Sequence, residues 1–202
     1  IDRNAVADEI SVALTDSSVS EQRSKALAVL QAALREGREE ISRRLITMPS
    51  SGRSSATDQA FLIDQIIRIA YYFVTTSLFP VANRSAAEKI AVVAVGGYGR
   101  GEMAPHSDVD IAFITPYKRT GWTEQVVEAM LYFLWDLGLK VGQSSRSIDE
   151  TIKMALEDLT IRTALLEGRF VWGDREVYEE ASIRFWNEVA AKTGADFVAQ
   201  KM

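Results

Sequence analysis

Val92 to Thr115 reads VVAVGGYGRGEMAPHSDVDIAFIT, an apolar run, a glycine-rich bend, and a second apolar run that opens with two carboxylates. Ile90 to Val95 is short, β-branched and unbroken by charge, which fits a strand buried on both faces better than a helix of that length. Gly96 and Gly97 end it. Two adjacent residues without Cβ permit positive φ and let a ligand approach the backbone, so their N–H groups could face phosphate oxygens. The P-loop pattern requires Gly-Lys-Ser/Thr after its glycines, and Tyr98-Gly99-Arg100-Gly101 stands there instead. The dinucleotide fingerprint also fails, because its third glycine is missing at the required spacing and a strand, not a long helix, follows.

Asp108 to Ile114 alternates acid and apolar at its start. On a strand, Asp108 and Asp110 project from one face about 7 Å apart at Cα, with Val109, Ile111 and Phe113 on the other. Like charges so close repel, and a divalent cation between them relieves the repulsion. Hard carboxylate oxygens together with substrate phosphates form the ligand set that Mg²⁺ prefers. The plainer alternative is an edge strand carrying two solvated acids.

The stretch GGYGRGEMAPHSDVDIAFI resembles the signature of the nucleotidyltransferase superfamily that includes DNA polymerase β: a hydrophobic strand, Gly-Gly or Gly-Ser, then an Asp-x-Asp strand. More narrowly, GGYGRGE followed by P-x-SD-x-D is similar to the bacterial PII uridylyltransferase/uridylyl-removing enzymes. LWDLGLKVGQSSRSIDE and DLTIRTALLEGRFVWGD look like that family's continuation, so the likeness spans Ile90 to Asp174. It implies an α+β, polymerase β-like fold, a small mixed sheet flanked by helices. Residues 1–85 would be a helical N-terminal section, and 86–202 the nucleotidyltransferase core with its following helices, in one compact unit.

The composition agrees with a globular domain. The 202 residues are 47% hydrophobic and 25% charged, enough for a sizeable core. The absence of cysteine excludes disulfides and thiolate metal sites and fits a reducing cytoplasm. No apolar run reaches membrane-spanning length and no signal peptide opens the chain; Ile1 in place of Met is read as the mark of a chain cut from a longer one. A net charge of −5 argues against nucleic acid as the main partner.

Helical spacing is expected over residues 3–14 through Val6, Ile10 and Leu14, and again from Glu21, where Ser20 could cap a long helix. Met48 to Thr57, with Pro49, Gly52 and four serines, reads as the clearest loop. Asp58 onward reads as a helix burying Leu62, Ile66, Ile69, Ala70 and Phe73 and ending near Pro80. Past the acidic strand, Pro116 to Gly121 is a turn, and a helix from about Thr123 stops at Gly138. Leu139 to Val141 is a short third strand, and Ser147 to Glu150 forms a capping box. Leu159 to Leu166 and Glu176 to Lys192 are the last helices, separated by Gly168 and Gly173.

The superfamily usually adds a third carboxylate from a later strand, here Leu139 to Ser145, where none exists; the position falls at Gly142 or a neighbour. Either two acids suffice with substrate ligands, or Glu102, Asp149 or Glu150 reaches in. The resemblance implies attack on the α-phosphorus of a triphosphate, with Asp108 and Asp110 catalytic and holding Mg²⁺. The Gly96-Gly97 backbone, Arg100 and Ser107 would bind phosphate, although Ser107 could equally cap a turn and Arg146 could be a phosphate ligand or a surface charge. Tyr98 would support the bend, Glu102 would pair with Arg100, and His106 would be a loop residue. It also implies UTP as donor and a tyrosine of the PII protein as acceptor. The full-length family carries an HD domain that removes UMP and ACT domains that bind glutamine; with His106 as its one histidine, this chain cannot hold an HD metal cluster. A protein adenylyltransferase would place Arg-x-Asp-x-Arg on the third strand, against Lys140 to Ser144 here. A non-catalytic nucleotide-binding module is the alternative from another class.

Overall fold

The computed structural model describes residues 2–15, 18–82 and 85–192, and these divide into two compact units. The first comprises Ile1–Val81, Gly101–Val109 and Glu128–Val141; the second comprises Ala82–Arg100, Asp110–Val127 and Gly142–Met202. The chain is α+β, with one four-stranded sheet.

The first unit is built on three helices, α1 (Arg3–Ala13), α2 (Val19–Thr47) and α3 (Gly52–Phe73). The helix α2 begins earlier than the sequence suggests, because Ser18 rather than Ser20 caps it, with Glu21 accepting the Ser18 N–H at 2.8 Å. Its stripe Ala26, Leu30, Leu34 and Ile41 is buried, as are Leu62, Ile66, Ile69, Ala70 and Phe73 of α3. The expected loop at 48–57 is mostly helix. A single 3₁₀ turn spans Pro49–Ser51 and α3 starts at Gly52. The hydroxyls of Ser51 and Thr57 donate to the carbonyls of Met48 and Arg53 at 2.6 and 3.1 Å, so these polar residues bond backward along the helical path instead of opening it. One π turn, Val74–Leu78, ends α3.

The second unit carries the sheet. Strand β1 (Ala91–Ala94) is buried throughout, as expected from its lack of charge. A single helical turn, α4 (Gly96–Gly99), replaces the open bend. The strand β2 (Val109–Thr115) pairs antiparallel with β1, Ala94 opposite Ile111 and Ala91 opposite Ile114. The helix α5 (Gly121–Asp136) follows; from Glu128 onward it belongs to the first unit, as does Gly138, at φ +74°, just past its end. The third strand, β3 (Val141–Ser147), starts and ends later than expected, and so includes Arg146. After α6 (Ile148–Glu157) and α7 (Leu159–Leu166) comes a strand the sequence reading does not contain, β4 (Arg169–Gly173), antiparallel to β1 with a bulge at Val92/Val93. Then α8 (Arg175–Arg184) and a π turn, Phe185–Ala190, close the described chain. The strand order is β3-β2-β1-β4.

Alternation along the strands sends Ala91 and Val93 of β1 and Ala112 and Ile114 of β2 to one face. There they pack with Ile148, Ile152 and Ala155 of α6, Val177 and Ala181 of α8, and Phe185 and Val189. Each fully buried Val or Ile among them contributes about 1.5–3 kcal/mol. Asp110 shares the parity of Ala112 and Ile114, so it is the polar start of an otherwise apolar face. No helix of the described residues is long and apolar enough to cross a membrane.

The entry to α6 is fixed locally. Ser147 accepts the Glu150 N–H at 3.2 Å, and Glu150 accepts the Ser147 N–H at 2.8 Å. That second bond, before any other cause, holds the Glu150 carboxyl below its ordinary value of 4.5. A depressed carboxyl lends stability above its unfolded value and loses it as pH falls through the folded one. Ser147→Ala is therefore expected to lower unfolding free energy by about 1 kcal/mol at neutral pH, measured by urea titration. The stability difference between wild type and Glu150→Gln should shrink steadily below about pH 4.5.

Candidate nucleotidyl-transfer site

The carboxylate of Asp110 is shaped by two glycines of the second unit. A Cβ on Gly142, in β3, would lie 2.2 Å from Asp110 Oδ1, and a Cβ on Gly96, in α4, would lie 3.3 Å from Oδ2. Gly96 also adopts φ +58°, which favours a residue without Cβ. The backbone is tied at the same place, since Val95 N–H donates to Asp110 O at 3.0 Å. Strand pairing thus fixes where Asp110 sits, and the absence of side chains at positions 96 and 142 is what lets its carboxylate fit there. A side chain at position 142, one of the places considered for a third acid, would run into Asp110.

Gly96 and Gly97 form the first turn of α4, where N–H groups have no partner inside the helix. Gly99 N–H and Arg100 N–H instead close the turn onto Val95 O and Gly96 O, at 3.0 and 3.3 Å. Tyr98 is fully buried, with the Arg169 guanidinium 5.4 Å from its ring centre, which agrees with a supporting role. Arg100 pairs with Glu167 at 2.7 Å, not with Glu102, which meets Arg53 at 3.1 Å.

Asp108 is exposed and stands one residue before β2, separated from half-buried Asp110 by the buried Val109. Ser107 spends its donors on a turn: both its N–H and its hydroxyl reach Ala104 O, at 3.1 and 2.7 Å. Of the two readings open for Ser107, the turn is the one its bonds support. His106, at φ +62°, is an exposed residue of the same turn. The three acids considered as additional ligands are engaged elsewhere: Glu102 with Arg53, Asp149 with Arg184 at 2.6 Å, and Glu150 in its capping box. Among the described residues, no group of three or more His, Cys, Asp or Glu is placed to hold a metal. The donor set at Asp110 is nevertheless hard oxygen, the kind Mg²⁺ takes when phosphates and water complete its shell.

Two features here had no signal in the sequence. Glu167 and Arg169 flank a glycine and read as ordinary charges between helices, and only the packing of the α7–β4 joint against α4 brings them to the glycine turn. The contact between Gly142 and Asp110 likewise depends on sheet register.

Residues 81–171 match the family described as Nucleotidyltransferase domain. The whole chain aligns with the bifunctional uridylyltransferase/uridylyl-removing enzyme of Novosphingobium aromaticivorans at 57% identity over 202 residues and with that of Erythrobacter litoralis at 58% over 202 residues. The enzyme of the same description from Rhodospirillum rubrum is 50% identical over 205 residues, again covering 100% of this chain. The chain spans 22% of the length of each of these relatives.

The glycines of α4 differ in what they tolerate. A Cβ at Gly99 would stand 2.2 Å from Glu167 O and 3.0 Å from Ala94 O, both backbone atoms, whereas one at Gly97 would meet only Arg100 Nη2, at 3.5 Å. Gly99→Ala is expected to destabilise by about 1–3 kcal/mol in denaturant titration. Gly97→Ala should stay within about 0.5 kcal/mol of wild type.

Proposed function

Over the stretch it shares with them, this chain belongs to the bifunctional uridylyltransferase/uridylyl-removing enzymes, and on that premise we propose that it transfers UMP from UTP to a tyrosine hydroxyl of the PII signalling protein. The observation that carries the reading is Asp110, held beside the first turn of α4 with its carboxylate oxygens packed against the side-chain-free positions of Gly96 and Gly142.

In the proposed reaction the tyrosine oxygen attacks the α-phosphorus in line. The bond from that phosphorus to the bridging oxygen breaks, its electron pair leaves with pyrophosphate, and the hydroxyl proton passes to solvent. Asp108 and Asp110 would hold Mg²⁺, which supplies neutralisation of phosphate charge. The Gly96 and Gly97 N–H groups would meet the β and γ phosphates, where backbone dipoles stabilise anions. Arg100, beside Gly97, adds a charged donor. Ser107 shapes the turn that leads into Asp108. With Asp108 and Asp110 as the protein's acids, further oxygen donors for Mg²⁺ would have to come from the triphosphate and water, so cation and nucleotide would bind interdependently. A protein adenylyltransferase would use the same phosphate chemistry with a different base.

The test is incubation of the full-length gene product with PII, Mg²⁺ and each α-labelled triphosphate in turn. Label is expected to pass from UTP to PII and to be lost on adding a chelator. Asp108→Asn and Asp110→Asn should each reduce transfer at least ~100-fold. Transfer from ATP in preference to UTP would replace the uridylyl reading, and undiminished transfer by Asp110→Asn would remove the site.

A further inference from the structure

We propose that Glu167, at the joint between α7 and β4, is a positioning residue for the nucleotide: it anchors one edge of the Arg100 guanidinium so that the other lies over the glycine turn. The proposal rests on the reading of that turn as a phosphate cradle.

Glu167 meets α4 and its end in two ways. Its carboxylate Oε1 forms an ion pair with Arg100 Nη1 at 2.7 Å. Its backbone carbonyl packs against Gly99 so closely that a Cβ there would come within 2.2 Å. The second contact fixes the height of the first, because the carboxylate is carried by a backbone already seated on the turn. The remaining terminal nitrogen, Arg100 Nη2, lies 3.5 Å from where a Cβ on Gly97 would stand. One end of the planar guanidinium is therefore tethered and the other overlies the residue whose N–H belongs to the first turn of α4.

An arginine side chain that is half exposed, as Arg100 is, would otherwise spread over many rotamers. A guanidinium carries five donors in a rigid fork, so one carboxylate bond leaves several donors for a phosphate. The joint is braced by its next charged residue as well. Arg169 donates to Tyr98 O at 3.4 Å and lies over the Tyr98 ring, so residues 167 and 169 engage consecutive parts of the turn. A carboxylate near bound phosphates would be unfavourable alone; tethered to Arg100 it directs a net donor toward them.

The experiment measures kcat and KM for UTP in the full-length gene product, with PII as acceptor, for Glu167→Ala, Glu167→Gln, Arg100→Ala and the Arg100→Ala/Glu167→Ala pair. Glu167→Ala is expected to raise KM about three- to five-fold with kcat within two-fold, the range a single exposed ion pair supports. Glu167→Gln, which retains an acceptor for Nη1, should recover most of that loss. In the Arg100→Ala background, Glu167→Ala should add nothing. An unchanged or lowered KM in Glu167→Ala, an equal rise without Arg100, or a KM rise that merely follows a fall in thermal unfolding temperature would overturn the role of Glu167. Asp110→Asn in the same assay separates the two levels. Full turnover there removes the cradle itself and the proposal with it, whereas lost turnover there beside unaltered Glu167→Ala kinetics removes Glu167 alone.

Discussion

The geometry of this protein's second unit turns on a carboxylate that occupies space two other residues decline to fill. Asp110 Oδ1 lies where a Gly142 side chain would begin, and Oδ2 lies beside the Cβ position of Gly96. A charged group at the start of a buried face needs either solvent or a counter-ion, and the face beyond it is Ala112 and Ile114 packed on α6 and α8. The two missing side chains let the acid fit at this place without breaking the strand pairing that holds it. Gly96 serves twice, because its positive φ also turns the chain out of β1 and into α4.

Rigidity comes from the same few bonds. The pairing of β1 with β2 ends at Ala94 and Ile111, and the next bond, Val95 N–H to Asp110 O, ties the first residue of the bend to the acid directly. Gly99 N–H then returns to Val95 O, so acid, bend and helical turn form one continuous hydrogen-bonded path. A group on such a path is preorganised, which matters where developing phosphate charge must be met without reorganisation.

Much of this was legible in the sequence, and what was not has identifiable causes. The charge-free run before Gly96 and the acid–apolar alternation after Ser107 are local patterns, and local patterns predicted β1 and β2. The capping box at Ser147 and the buried stripe of α3 were legible for the same reason. The loop expected at 48–57 failed because Ser and Thr hydroxyls can bond to carbonyls along a helix as readily as they can cap or break one. The strand β4 was hidden by its brevity and by the charge at Arg169; its identity as a strand comes from pairing with β1, nearly eighty positions earlier in the chain. Arg100 was legible as a donor near the glycines, but its partner was not, since Glu102 is adjacent in sequence and Glu167 only in space.

The packing leaves no room for a side chain at position 142. With Gly142 Cβ displaced into Asp110 Oδ1, any acid installed at that position would collide with the acid it was meant to assist. Nor could Glu150 or Asp149 be recruited cheaply, because one closes the N-terminus of α6 and the other is paired to Arg184, whose ionised form is favoured first by Glu188 and then by Asp149. Under the proposed reading two carboxylates would hold the cation, and its shell would stay incomplete until a triphosphate arrived. Such dependence makes the nucleotide part of its own binding site. On that reading the donors of the turn and Arg100 would contribute most at the step where the metal shell is completed.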